Sequence, residues 1–69
     1  MRNTNYTIIG YEMKESQKTG NAVRTGDLIT VNVNLQLENI EAENIEFVEG
    51  HISCLNGFYW FEAINITKN

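Results

Sequence analysis

The longest regular pattern in the chain is an alternation. In LITVNVNLQLE, Ile29, Val31, Val33, Leu35 and Leu37 take every second position, and Thr30, Asn32, Asn34 and Gln36 lie between them. A period of two over five apolar positions predicts a strand with one buried face and one wet face. NYTIIGYEM predicts a second, shorter strand, in which Gly10 marks a bulge or a close packing contact. Between them KESQKTGNAVRTGD contains two Thr-Gly pairs and reads as loop, with a short extended piece at Ala22 to Arg24.

ENIEAENIEF is ambiguous. Its Glu-Asn-Ile-Glu tetrapeptide recurs after five residues. On a helix this sets Ile40 and Ile45 about 140° apart and defines no apolar stripe. The preferred reading is a turn over 41–44 followed by a strand over 45–55, with a one-turn helix as the alternative. Asn56-Gly57 then joins two β-rich runs as a two-residue hairpin turn. Together these elements predict an all-β domain over residues 1–69, with one short helix as the variant. It is a small antiparallel meander sheet or partly closed barrel of four to five strands, near 5–14, 28–39, 45–55 and 58–67.

A turn at 56–57 would set Leu55 opposite Phe58 and continue in register to Gly50 opposite Ala63. One face would carry Val48, Gly50, Ile52, Cys54, Tyr59, Phe61 and Ala63, a core set. The other would carry Glu49, His51, Ser53, Leu55, Phe58, Trp60 and Glu62, where large apolar and ionisable groups mix as on a contact surface. Ile64 and Ile66 are out of phase with that sorting, unless an extra residue near Glu62 flips the alternation.

Composition decides which functions are open. A chain of 69 residues with one Cys and one His has no internal disulfide and cannot close a four-ligand zinc site. A domain this small buries only about 60% of its unfolded surface, so a homo-oligomer, dimer or higher, is the expected source of extra stability. No run approaches the ~20 apolar residues of a membrane span, and the N-terminal stretch lacks the apolar core of a signal peptide. The expected location is the cytoplasm, without membrane contact; two Asn-x-Thr sequons, at Asn5 and Asn65, are read as chance.

The formal net charge is −4, and residues 27–69 hold seven acids against Lys68 alone. Glu38, Glu41, Glu43, Glu46 and Glu49 form a run with no intervening base. Binding to a phosphate backbone is disfavoured there. A solvated edge is the plainer meaning of the run, and a basic partner surface the functional one.

No motif for catalysis, phosphate binding or calcium binding is present. Ser53, His51 and Glu62 are the residue types of an acyl-transfer triad, but a sheet face supplies neither a nucleophile elbow nor an oxyanion hole. His51 with Glu62 reads as a cross-strand charge pair, and Cys54 as a small buried hydrophobe.

The expectation is therefore a non-enzymatic binding protein without cofactor or metal. The leading reading is a protein-interaction module or inhibitor that binds its partner through Phe58, Trp60, Glu62, His51, Leu55 and Glu49. Ten Asn and eight Ile fit an AT-rich genome, such as that of a low-GC bacterium or its phages, and suggest a phage-encoded inhibitor of a host protein. A second reading is an oligomer that sequesters a nucleotide-like ligand through Lys18 and Arg24 beside an aromatic neighbour. A third is a small barrel that stacks single-stranded nucleic acid on Phe58 and Trp60 or on Tyr6 and Tyr11.

Overall fold

The computed structural model of the chain describes residues 3–69. Three antiparallel strands form an open sheet in the order β2-β1-β3, with β1 (Thr4–Glu15) central, β2 (Ala22–Leu35) on one side and β3 (Trp60–Lys68) on the other. A 3-10 turn, Ala42–Asn44, leads into the helix α1 (Ile45–Asn56), which lies between β2 and β3 in the chain. Because β2 and β3 both run antiparallel to β1, they are parallel to each other and cannot be joined by a tight turn. A crossover of a dozen or more residues is needed, and α1 is that crossover.

The alternating apolar positions serve as expected. Tyr6 and Ile8 of β1, Val33 and Leu35 of β2, Val48 and Ile52 of α1 and Phe61 of β3 are all buried and form one cluster. Ile29, Val31 and Leu37 pack against it. The Tyr6 hydroxyl donates to the Leu37 carbonyl oxygen at 2.7 Å, which satisfies the one polar atom of that buried ring. The opposite face of the sheet is open and polar. Asn34 Nδ2 donates to Asn5 Oδ1, and the Thr7 hydroxyl to Asn32 Oδ1, each between directly paired residues.

Gly10 marks both features expected of it. The β1–β3 register shifts between Ile9 and Gly10, and the β1–β2 register shifts just after Gly10. A Cβ at this position would run into the Glu62 carbonyl oxygen and come within 2.7 Å of Phe61 Cζ. The extra residue anticipated near Glu62 is Ile64: Asn65 faces Ile9 and Ala63 faces Gly10, so Ile64 is left without a partner. The bulge brings Phe61, Ala63 and Ile66 to the core and leaves Ile64 exposed.

Several expectations are corrected. The sheet has three strands, not four or five, and is neither a meander nor a barrel. β2 ends at Leu35 and begins at Ala22, so the short extended piece is its first turn of strand and the preceding loop shrinks to a tight connection closed by Ser16 and Asn21. The one-turn helix foreseen as the alternative for the ambiguous segment is present at Ala42–Asn44.

Residues 45–55 are helical. Ile45, Val48 and Ile52 recur at helical spacing, and the helix is closed by Asn56-Gly57. Gly57 has φ 70°, the left-handed conformation of a helix C-terminal cap, and the Phe58 amide donates to the Ser53 carbonyl oxygen. A type I′ hairpin needs positive φ at Asn56 as well, and no residue other than glycine has it among the described residues. The cross-strand register built on that hairpin, including a pairing of His51 with Glu62, is therefore absent.

Candidate functional site

With α1 in place of a strand, its faces decide what is exposed. Val48 and Ile52 point into the core. Toward β3, the Glu49 carboxylate accepts from the Ala63 amide at 2.8 Å, and the Trp60 indole lies over Gly50, where a Cβ would meet Cη2 at ordinary contact distance. Toward β2, Phe47, His51 and Leu55 follow one another at intervals of four, and residues so spaced share a helix face. Phe47 and Leu55 are 62% and 66% exposed, the largest values among the exposed large hydrophobic residues, and the Phe47 and His51 rings stack at 6.3 Å. Leu35, Leu37 and Gln36 of the β2 end share a concavity with Phe47 and His51.

Of the six residues expected to bind a partner, His51 and Leu55 belong to this flank. Glu49 and Trp60 lie on the other side of the helix and are half-buried. Phe58 is half-buried and stacks on Phe61 at 6.2 Å, so part of its surface supports the core. Glu62 is engaged elsewhere, in an ion pair with Arg24 at 2.6 Å. Phe47 was not among the six. A period of two also sets Phe47 on the face of His51 and Leu55, but the hairpin register was carried only as far as Glu49 and so left it out.

The aromatic run divides differently from the expectation. Phe61 is buried, as anticipated. Tyr59 was expected in the core and is 55% exposed, because Gly57 ends the helix and the chain turns before β3 begins. Ser53 was expected on the outer face; it is buried, with its hydroxyl donating to the Glu49 carbonyl oxygen one helical turn earlier. Cys54 was expected in the core and is exposed on the outer side of α1. One thiol per chain should therefore react with a maleimide in the native protein as fast as in denaturant, which mass spectrometry of timed samples will read.

Arg24 lies on β2 opposite Met13, with its guanidinium 4.6 Å from the centre of the Tyr11 ring and its Nε donating to Glu62 Oε1. The bond to Glu62 raises the Arg24 pKa above its already high ordinary value. Tyr11 of the same chain is thus an aromatic neighbour of Arg24, and the cation is already matched by a carboxylate of its own chain. Lys18 lies in the connection between β1 and β2, and no hydrogen bond or ion pair among the described residues joins it to Arg24. Tyr6, proposed as a stacking platform beside Tyr11, is buried. Arg2, counted among the cations available to a nucleic acid, lies outside the described residues.

A concavity of 680 Å³ opens at the end of the sheet between Asn3, Thr4, Asn5, Gln36, Glu38, Lys68 and Asn69. Its lining is amide and hydroxyl groups with a single acid and a single base. Among the described residues no three His, Cys, Asp or Glu side chains come together as metal ligands would, and no helix is long and apolar enough to cross a membrane. Comparison with known proteins gives no match: no family model, no curated protein and no solved structure.

Proposed function

We propose that the chain is a non-enzymatic protein-interaction module whose contact surface is the β2 side of α1. The observation that carries this reading is the exposure of Phe47 and Leu55 on one flank with His51 between them. Large apolar side chains exposed singly are ordinary, whereas two in line with a stacked imidazole form a continuous strip that water solvates poorly. Helix flanks of this spacing are read by partners with an apolar groove. Exposed Glu46 on the same helix, with Glu41 and Glu43 just before it, supplies an acidic rim that favours a basic surround on the partner.

The test is to identify proteins retained by the immobilised chain and to repeat the capture with single substitutions. Phe47→Ala and Leu55→Ala should each weaken the complex by about 2 kcal/mol, roughly thirtyfold, if they are central anchors. Asn65→Ala, exposed on β3 and remote from the flank, should leave binding unchanged. Retention of a partner at full affinity by both flank variants would end this reading. The suggestion of a phage-encoded inhibitor supplies a partner class for the capture, a bacterial host protein.

A further inference from the structure

The two edges of the sheet are not equally protected. On β3, Ile64 bulges out of register, Glu62 and Lys68 add charge, and the Ala63 amide is taken by Glu49. These are the devices by which natural sheets prevent edge-to-edge pairing. On β2 they are missing where the strand is regular. From Ile29 to Leu35 it pairs with β1 on one side, carries no charged residue and contains no proline. Ile29 and Val31 on its core side are only half-buried.

Charge is also distributed along the molecule, which measures 43 Å by 21 Å by 20 Å. The β1–β2 hairpin runs past β3 to a tip that holds exposed Lys14 and Lys18 against Glu15. At the other end, where Thr4 pairs with Leu35, the chain leaves β2 into exposed Glu38, Glu41, Glu43 and Glu46. A second copy alongside in the same direction would set these acidic ends together. In the opposite direction, each acidic end lies instead beside the other copy's hairpin, where Lys14, Lys18 and Arg24 balance Glu12, Glu15 and Asp27.

We propose that two copies of this chain pair through the free edges of β2, antiparallel, to form a continuous six-stranded sheet. The two-fold axis is perpendicular to the sheet and passes beside Asn32, the middle of the uncharged segment, so that Asn32 faces Asn32 of the second copy. Such an axis keeps both helices on one face, so the Phe47–Leu55 flanks of the two copies form a doubled binding surface. The proposal rests on the reading of the chain as a binding module, but its own contact is the strand edge. A seam of seven residues is small beside the ~1,000 Å² of an ordinary specific interface, so association is expected at micromolar concentration.

Sedimentation equilibrium of the full chain across the micromolar range is the test. The expected mass is twice 7.9 kDa. Asn32→Lys puts two cations beside each other at the axis while its own side chain stays on the open polar face. It should weaken the dimer by about tenfold or more with an unchanged circular dichroism spectrum. Asn65→Lys, on the open face near the other edge, should not weaken it. A monomer at high micromolar concentration overturns the proposal, as does a dimer that Asn32→Lys leaves intact. Neither result touches the helix-flank reading, which stands or falls on Phe47→Ala and Leu55→Ala in partner capture.

Discussion

Replacing Gly10 by Ala should remove about 3 kcal/mol of folding stability, as much as some small domains possess. The residue is at the centre of the middle strand, where both registers shift. A methyl group there meets the carbonyl oxygen of Glu62, which belongs to backbone and cannot rotate away, and the end of the buried Phe61 ring. Overpacking typically costs 1–3 kcal/mol, and the upper end applies when backbone must move. A chain of 69 residues is expected to hold roughly 3–10 kcal/mol in total. Urea titration followed by circular dichroism should show the Gly10→Ala midpoint far below that of the parent, and no cooperative transition at all for Gly10→Val. Gly50→Ala is the internal control. Its methyl group would meet only Trp60, at ordinary contact distance, and it gains helix propensity of about 0.5–1 kcal/mol. Equal losses at the two glycines would mean that close packing at Gly10 is not the reason for its presence.

Gly10 also shows what kind of information was legible in the sequence. A glycine in a strand pattern signals a bulge or a near neighbour, and both are found. The period of two over residues 29–37 named the core-facing side chains of β2, and the phase conflict at Ile64 and Ile66 raised the option of an extra residue near Glu62, which Ile64 supplies. Each of these inferences uses local geometry that a strand imposes on its own residues.

The segment 45–56 was misread for a different reason. Val48, Gly50, Ile52 and Cys54 fit a period of two, while Ile45, Val48, Ile52 and Leu55 fit 3.6, and twelve residues do not separate the two. Asn56-Gly57 does not separate them either, since a left-handed glycine serves a hairpin and a helix cap alike. What decides is long-range. β1 accepts β2 on one side and β3 on the other, which makes the two outer strands parallel and requires a crossover between them. That requirement appears nowhere in residues 45–56 themselves. The candidate site changed with it: on a helix Phe47, His51 and Leu55 stay on one flank, while Glu49 and Ser53, which a strand would set among them, turn to β3 and the core, and Phe58 and Trp60 lie partly under cover.

The four aromatics of Phe58–Phe61 should separate cleanly when each is cut to alanine. Phe61 is fully buried, stacks with Phe58 and lies beside Gly10. Loss of a buried phenylalanine costs about 3–5 kcal/mol, which approaches or exceeds what a domain of this size holds. Phe61→Ala should therefore be largely unfolded at 25 °C, with Trp60 fluorescence already at its denatured position before urea is added. Tyr59→Ala should lie within about 0.5 kcal/mol of the parent, since its ring is mostly in water. Phe58→Ala belongs between them, because its ring is only partly exposed and its stacking partner remains. Had the run formed a hairpin strand, Tyr59 and Phe61 would share the core face and lose stability together. A Tyr59→Ala variant as damaged as Phe61→Ala would restore the hairpin and remove the helix, and with it the exposed flank on which the binding surface rests.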